Sequence, residues 1–234
     1  MCYVVKSLVS VGVVATGLVV SSSAANADVV FDFNAGDGGF TASTIAGNVP
    51  NGNFTYGAAF GTGDPASGGW AIAGTHGAQK ALTSPILTIT SSNPVSITFD
   101  HIINFESPYD GGQLQFSVNG GAFTTILAAQ ISGRTYNNTP VSTQFGSAIG
   151  GQRAWSFFNE FNFLTSTANL GVLNAGDTLQ IRFLATYDSS GLMSGQNWRL
   201  DNVSITNAAV PTPGATALLA GGMAMCAGRR RRTR

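Results

Sequence analysis

The middle of the chain is built from short segments in which apolar and polar residues alternate, cut apart by glycine, asparagine and proline. This pattern constrains the fold more than any other feature. In TLQIRFLATY, Leu179, Ile181, Phe183 and Ala185 fall on one face, with Gln180, Arg182 and Leu184 on the other. In VSITFDHI, Val95, Ile97, Phe99 and His101 share a face. A period of two suits a strand with one buried face and excludes a helix, whose apolar stripe recurs every three to four residues. Strands are expected over 29–34, 53–60, 69–74, 81–90, 94–103, 112–118, 122–128, 153–161, 177–188 and 197–206. Asn119-Gly120 reads as a two-residue hairpin turn, and Asn174-Ala175-Gly176-Asp177 turns the chain into the next strand. About ten strands without a convincing internal helix predict an all-β protein, an antiparallel β-sandwich of jelly-roll type. The Gly-, Ser- and Thr-rich stretch 129–152 reads as a long loop.

Charge and cysteine usage narrow the function. Only 9% of the 234 residues are charged, while glycine numbers 30, a composition suited to an exported β protein. The formal net charge of zero hides an asymmetry. Residues 28–210 hold five basic and all eleven acidic residues, a net charge of −6, and five arginines crowd the last six positions. An acidic body lacks the basic face that nucleic acid requires. Both cysteines, Cys2 and Cys226, lie in the terminal segments, so no disulfide or thiolate metal site is expected in the body.

The two ends read as addresses. At the N-terminus, Lys6, the 13 apolar residues 8–20 and Ala25-Asn26-Ala27 supply the charged, apolar and A-x-A cleavage parts of a signal peptide, in that order. The mature chain is expected to begin near Asp28. At the C-terminus, Val210-Pro211-Thr212-Pro213-Gly214 leads into the apolar residues 215–227 and then Arg229, Arg230, Arg231 and Arg232. As a helix, 215–227 would span about 20 Å at 1.5 Å per residue, short of the roughly 30 Å hydrocarbon core. Arginines beyond it would stay on the cytoplasmic side.

This three-part tail resembles the PEP-CTERM sorting signal of Gram-negative-type bacteria, with Thr212 where that motif usually has Glu. The resemblance implies recognition by an exosortase, a sorting protease in the membrane, after transient insertion through the C-terminal helix. It also implies removal of the tail and a place at the cell-envelope surface or in the extracellular matrix of a bacterium. The expected domains are therefore a signal peptide (1–27), a β-sandwich (28–208) and a sorting tail (209–234).

Within the body, Tyr109-Asp110-Gly111-Gly112, Gly120-Gly121 and Trp198, Asp201 and Val203 follow one another in an order that resembles MAM-like and carbohydrate-binding-module-like jelly rolls. That resemblance covers roughly 81–206. It implies a structural calcium between the first strand and the closing one, held by Asp32 and Asp201 with Asn34 nearby; Glu106 and Asp110 form the competing pair. Calcium takes six to eight oxygens from such groups.

Catalytic signatures are sparse. Neither G-x-S-x-G nor a P-loop occurs. Of the two histidines, His76 and His101, the second reads as a partly buried structural residue. Glu106, Asp110 and Glu160 could serve a glycosidase, which needs two opposed carboxyls. For sugar stacking the candidates are Trp70, Trp155, Trp198 and the stretch FFNEFNF (157–163), with Trp198 better placed in the core. The sequence thus predicts a non-enzymatic surface or matrix protein, with binding of extracellular polysaccharide as the alternative and glycoside hydrolysis behind it.

Overall fold

The structure, a computed structural model, describes residues 27–47, 52–62, 67–74, 76–190 and 195–211. The signal segment through Asn26, with Ala25, lies outside the described residues, as does the tail from Thr212 onward, with Pro213, Gly214, the apolar helix 215–227 and the arginine cluster. Among the described residues no helix is long and apolar enough to cross a membrane.

In chain order the strands are β1 (Val29–Phe31), β2 (Thr41–Gly47), β3 (Thr55–Gly57), β4 (Gly69–Ala73), β5 (Ala78–Thr83), β6 (Leu87–Ile89), β7 (Pro94–Ile103), β8 (Gly111–Val118), β9 (Thr124–Thr125), β10 (Ile131–Gly133), β11 (Leu164–Val172), β12 (Thr178–Tyr187), β13 (Gln196–Ile205) and β14 (Ala208–Ala209). They form two antiparallel sheets of seven strands each, the expected sandwich. The first sheet runs β10-β11-β7-β13-β4-β3, with β1 pairing the far half of β13. In the second, β12 is central. On one side lie β8 and then β9; on the other, β5 and β6 follow end to end, completed outward by β2 and β14. The long strands β7, β8, β11, β12 and β13 alternate between the sheets, which is the jelly-roll mode of winding.

The two alternating segments behave as their period demands. Val95, Ile97, Phe99 and His101 on β7 and Leu179, Ile181, Phe183 and Ala185 on β12 are fully buried and face each other across the core. Between them pack Trp155, Trp198, Phe105 and Tyr187, mostly edge to face. Each large apolar side chain buried this way contributes about 1.5–3 kcal/mol.

Several boundaries differ from expectation. The strand expected over 81–90 is two, β5 and β6, because Pro85 has no N–H to continue the ladder. Asn119 and Gly120 do make the turn, both at positive φ (53° and 70°), but the returning strand β9 is only two residues long. The loop 129–152 carries β10 and a 3-10 turn at Gln144–Gly146, and another 3-10 turn precedes it at Ala128–Gln130. No strand forms over 153–161; only Trp155 bridges Gly112 there. Four strands were not anticipated: the short β10 and β14, and the longer β2 and β11, whose sequences are rich in Ala, Ser and Thr.

Candidate functional site

Past Phe157, which packs against the edge of the core, FFNEFNF leaves the sandwich. Glu160 holds it in place: its Oε2 accepts the N–H of Ile103 (3.2 Å), its carbonyl accepts Asn104 Nδ2 (3.0 Å), and its Oε1 pairs with Arg134 Nη2. The loop therefore sits at the end of the molecule where β7 finishes. A backbone N–H that could pair with another strand is taken by a side chain, and this ends the strand pattern locally. Asn159 takes a left-handed backbone angle within it, at φ 62°. The Arg134 guanidinium also covers the Phe157 ring at 3.3 Å, and that of Arg199 lies 5.1 Å from the Phe163 ring. Phe157 and Phe163 are thereby tethered, while Phe158 (53% exposed) and Phe161 (81% exposed) project into solvent beside the exposed amides of Asn159 and Asn162. The Arg134–Glu160 pair is only partly buried, so it fixes the geometry of the loop more than it adds stability.

Behind the loop runs a chain of ordered hydrogen bonds. Trp198 Nε1 donates to His101 Nδ1 (3.1 Å), which leaves Nε2 to donate to Ser166 Oγ (2.8 Å). Ser166 Oγ in turn donates to the carbonyl of Arg134, which also accepts Trp155 Nε1 (2.9 Å). His101 is wholly buried and its tautomer is set from both sides. Burial lowers its pKa to about 3, the Arg134 charge adding to the effect. Its role is structural, and its burial complete where the sequence suggested only partial burial. His76 is exposed.

All three tryptophans, Trp70, Trp155 and Trp198, are buried, so none of them offers a face to a sugar. Trp198 takes the core position expected of it. Asp32 lies just past β1, exposed, and accepts the N–H of Asn34 (3.2 Å), which holds its own turn. Asp201 is fully buried on β13. Its Oδ2 accepts Thr62 N (2.6 Å) and Thr62 Oγ1 (3.0 Å) and lies 3.2 Å from Ser67 Oγ; its Oδ1 accepts Asn202 N (2.7 Å). A cation at Asp201 would have to displace these donors.

The competing pair sits in the corner before β8. Both Tyr109 N and Asp110 N donate to the Glu106 carbonyl, and Glu106 Oε2 is buried without a hydrogen-bond partner. Asp110 is buried and accepts the N–H of Asp188 (2.8 Å). Burial raises its pKa to about 7 against the lowering effect of that hydrogen bond, with the Asp188 and Glu106 charges adding to the rise. Asp188, the residue after β12, escaped the sequence reading because nothing in the order of residues places it beside Asp110. Among the described residues no three His, Cys, Asp or Glu side chains converge as a metal-holding group.

No protein-family model and no curated protein matches the sequence. Among solved structures, the chain is similar to the K1 cleaved adhesin domain of Lys-gingipain from Porphyromonas gingivalis, with 14% identity, 76% of this chain and 97% of that one covered, and a TM-score of 0.46. It is similar to the CBM22-1 xylan-binding domain of Xyn10C from Paenibacillus barcinonensis, with 11% identity, 79% and 97% covered, and a TM-score of 0.43. It is also similar to the CBM35 of Abf62 from Cellvibrio japonicus, with 16% identity, 76% and 92% covered, and a TM-score of 0.37. At these identities and scores the likenesses carry no argument about what this chain binds.

Proposed function

We propose that this chain is an exported, non-catalytic surface module whose sandwich binds extracellular polysaccharide through the Phe158–Phe161 loop. The observation that carries the reading is the loop itself. Two aromatic rings are held out into water by a polar clamp, at a cost that a purely structural loop would avoid by folding them inward. An exposed ring presents an electron-rich face to the C–H groups of a pyranose, and the neighbouring Asn159 and Asn162 amides supply donors and acceptors for its hydroxyls. The signal-peptide pattern and the PEP-CTERM-like tail support export and handling by a membrane sorting protease.

The test is a pull-down of the sandwich on insoluble xylan, insoluble β-glucan and the producing bacterium's own extracellular polysaccharide. Retention of the native sandwich on at least one is expected. The double variant Phe158→Ala/Phe161→Ala is expected to lose retention at least tenfold with an unchanged circular dichroism spectrum. Equal retention of the variant would overturn the loop as the site; no retention of the native protein on any of the three would overturn polysaccharide binding through it.

A further inference from the structure

The outward face of the second sheet carries a row of polar side chains with one feature that folding alone does not explain. Cross-strand register places Thr41 opposite Thr83, Thr83 opposite Arg182, Arg182 opposite Gln115, and Gln115 opposite Thr125. Directly paired residues share a face, so five adjacent strands contribute one residue each to a line about 19 Å long at roughly 4.8 Å per strand. The opposite face of β12 is the core, which fixes this row as the outer one.

Arg182 stands at the centre of the row, half-buried. Both of its protein contacts are neutral. Its Nε (2.8 Å) and Nη2 (2.5 Å) donate to the single oxygen Gln115 Oε1, and its guanidinium lies 4.0 Å from the centre of the Phe123 ring. That engages two of the five N–H donors of the fork. Gln115 is itself held, its Nε2 donating to Thr125 Oγ1 (3.0 Å), so its oxygen is aimed at Arg182 before any ligand arrives. Among the described residues the one salt bridge is Arg134–Glu160, and no carboxylate pairs with Arg182 even though the body carries eleven. Burial lowers the Arg182 pKa, and among the described residues no neighbouring acid offsets the cost. Even a partly desolvated cation is costly to keep without a counter-charge.

The surroundings have room for a ligand. One cleft of about 290 Å³, lined by Ile86, Ser117, Asn119 and Gln180, flanks the row on one side. Another of about 290 Å³, lined by Gln113, Thr125 and Arg153 on its polar side and by Ile126, Leu127 and Ala128 on its apolar one, flanks it on the other. Gln180 and Ser117 sit two residues along from Arg182 and Gln115 on the same face, so hydrogen-bonding groups continue into the first cleft.

We infer that this face is a second binding site, separate from the Phe158–Phe161 loop, and that it takes an acidic polysaccharide whose carboxylate or sulfate group docks on Arg182. A planar guanidinium fork matches such oxyanions in bidentate fashion. The threonines and glutamines on either side then meet the hydroxyls of adjoining sugars.

The experiment is isothermal titration of the sandwich with polygalacturonate, dextran sulfate, uncharged dextran and inorganic sulfate. Binding to polygalacturonate or dextran sulfate that weakens with added salt is expected, with at least tenfold weaker binding to dextran and to sulfate alone. Polygalacturonate and dextran sulfate separate a carboxylate from a sulfate ligand. Arg182→Gln is expected to reduce binding at least tenfold. Thr83→Glu, which sets a carboxylate beside Arg182 on the solvent face, is expected to do the same and keeps the test valid if Arg182→Gln folds poorly. Phe158→Ala/Phe161→Ala, which lies outside this face, serves as the control and is expected to change binding less than threefold. Unchanged binding in both Arg182→Gln and Thr83→Glu, equal binding of dextran, or no binding of either acidic polymer would overturn the inference.

Discussion

Gly112 shows how a single residue is dictated from a distance. It lies on β8 opposite Ala185, and its neighbour in space is the indole of Trp198 on the other sheet. A Cβ there would sit 2.6 Å from Cζ3, 2.8 Å from Cη2 and 2.9 Å from Cε3 of that ring. Trp198 cannot retreat: it is fully buried, hydrogen-bonded to His101, and packed on Phe105, Trp155 and Phe183. Gly112→Ala is therefore expected to destabilise the sandwich by about 1–3 kcal/mol through overpacking. Urea unfolding measures it, and an unchanged midpoint would contradict the close approach. In the sequence this glycine reads as part of a YDGG turn, and the tryptophan that requires it stands 86 positions away.

At the scale of elements, two buried ionisable groups tie segments together and respond to pH in opposite senses. His101 joins β7 to β13 and β11 through Trp198 and Ser166, and is held neutral with a pKa of about 3. The unfolded chain takes up a proton at histidine near pH 6.5. Below that pH the unfolded state binds the extra proton, so the stability tied to His101 falls as acid is added. Asp110 joins the corner before β8 to the end of β12, and burial raises its pKa to about 7. The unfolded carboxyl ionises near pH 3.9. The stability tied to Asp110 is thus present at low pH and lost as pH rises through 7. Between about pH 4 and pH 6.5 the two effects oppose each other, each at up to about 1.4 kcal/mol per pH unit. Relative to the native protein, Asp110→Asn is expected to lose stability on acidification across this window and His101→Gln to gain it. Denaturant titrations at several pH values check the signs; parallel profiles for all three proteins would refute the assignment.

For the whole molecule, the positions of the chain ends and of the aromatic loop define two poles. Asp28 Oδ1 accepts the N–H of Asn207 (3.0 Å), and Asn207 Nδ2 donates to the carbonyl of Pro94 (2.9 Å), so both edges of the body meet where β7 begins. Glu160 and its loop sit where β7 ends. The ten residues of β7 span about 30 Å at roughly 3.3 Å per residue. A body tethered through a segment following Val210 and Pro211 would hold Phe158 and Phe161 on the side away from its tether. If the tail is a sorting signal, exported protein recovered from the native bacterium is expected to lack Arg229, Arg230, Arg231 and Arg232. Intact-mass measurement decides this, and a mass that retains the arginines would sink the sorting proposal.

The sequence by itself determined the all-β class, the inward faces of β7 and β12 and the turn at Asn119-Gly120. These depend on local periodicity and on backbone angles that few residues adopt, and both are written in neighbouring positions. It also held the charge asymmetry between body and tail. Besides the short β10 and β14 it missed β2 and β11, because small and hydroxylated residues signal a strand only once a partner strand lies beside them. It named FFNEFNF among the stacking candidates but expected a strand over 153–161, because the outcome turned on whether Glu160 would find Arg134 and the N–H of Ile103, 26 and 57 positions away. The row through Arg182 is equally illegible in one dimension, since its five members come from five separate strands. Alternation states which side of a strand meets water, but only strand order and register decide which polar residues stand together on that side. There lies the physical reason that the fold class was readable and the grouping of residues on the two proposed faces was left to the tertiary structure.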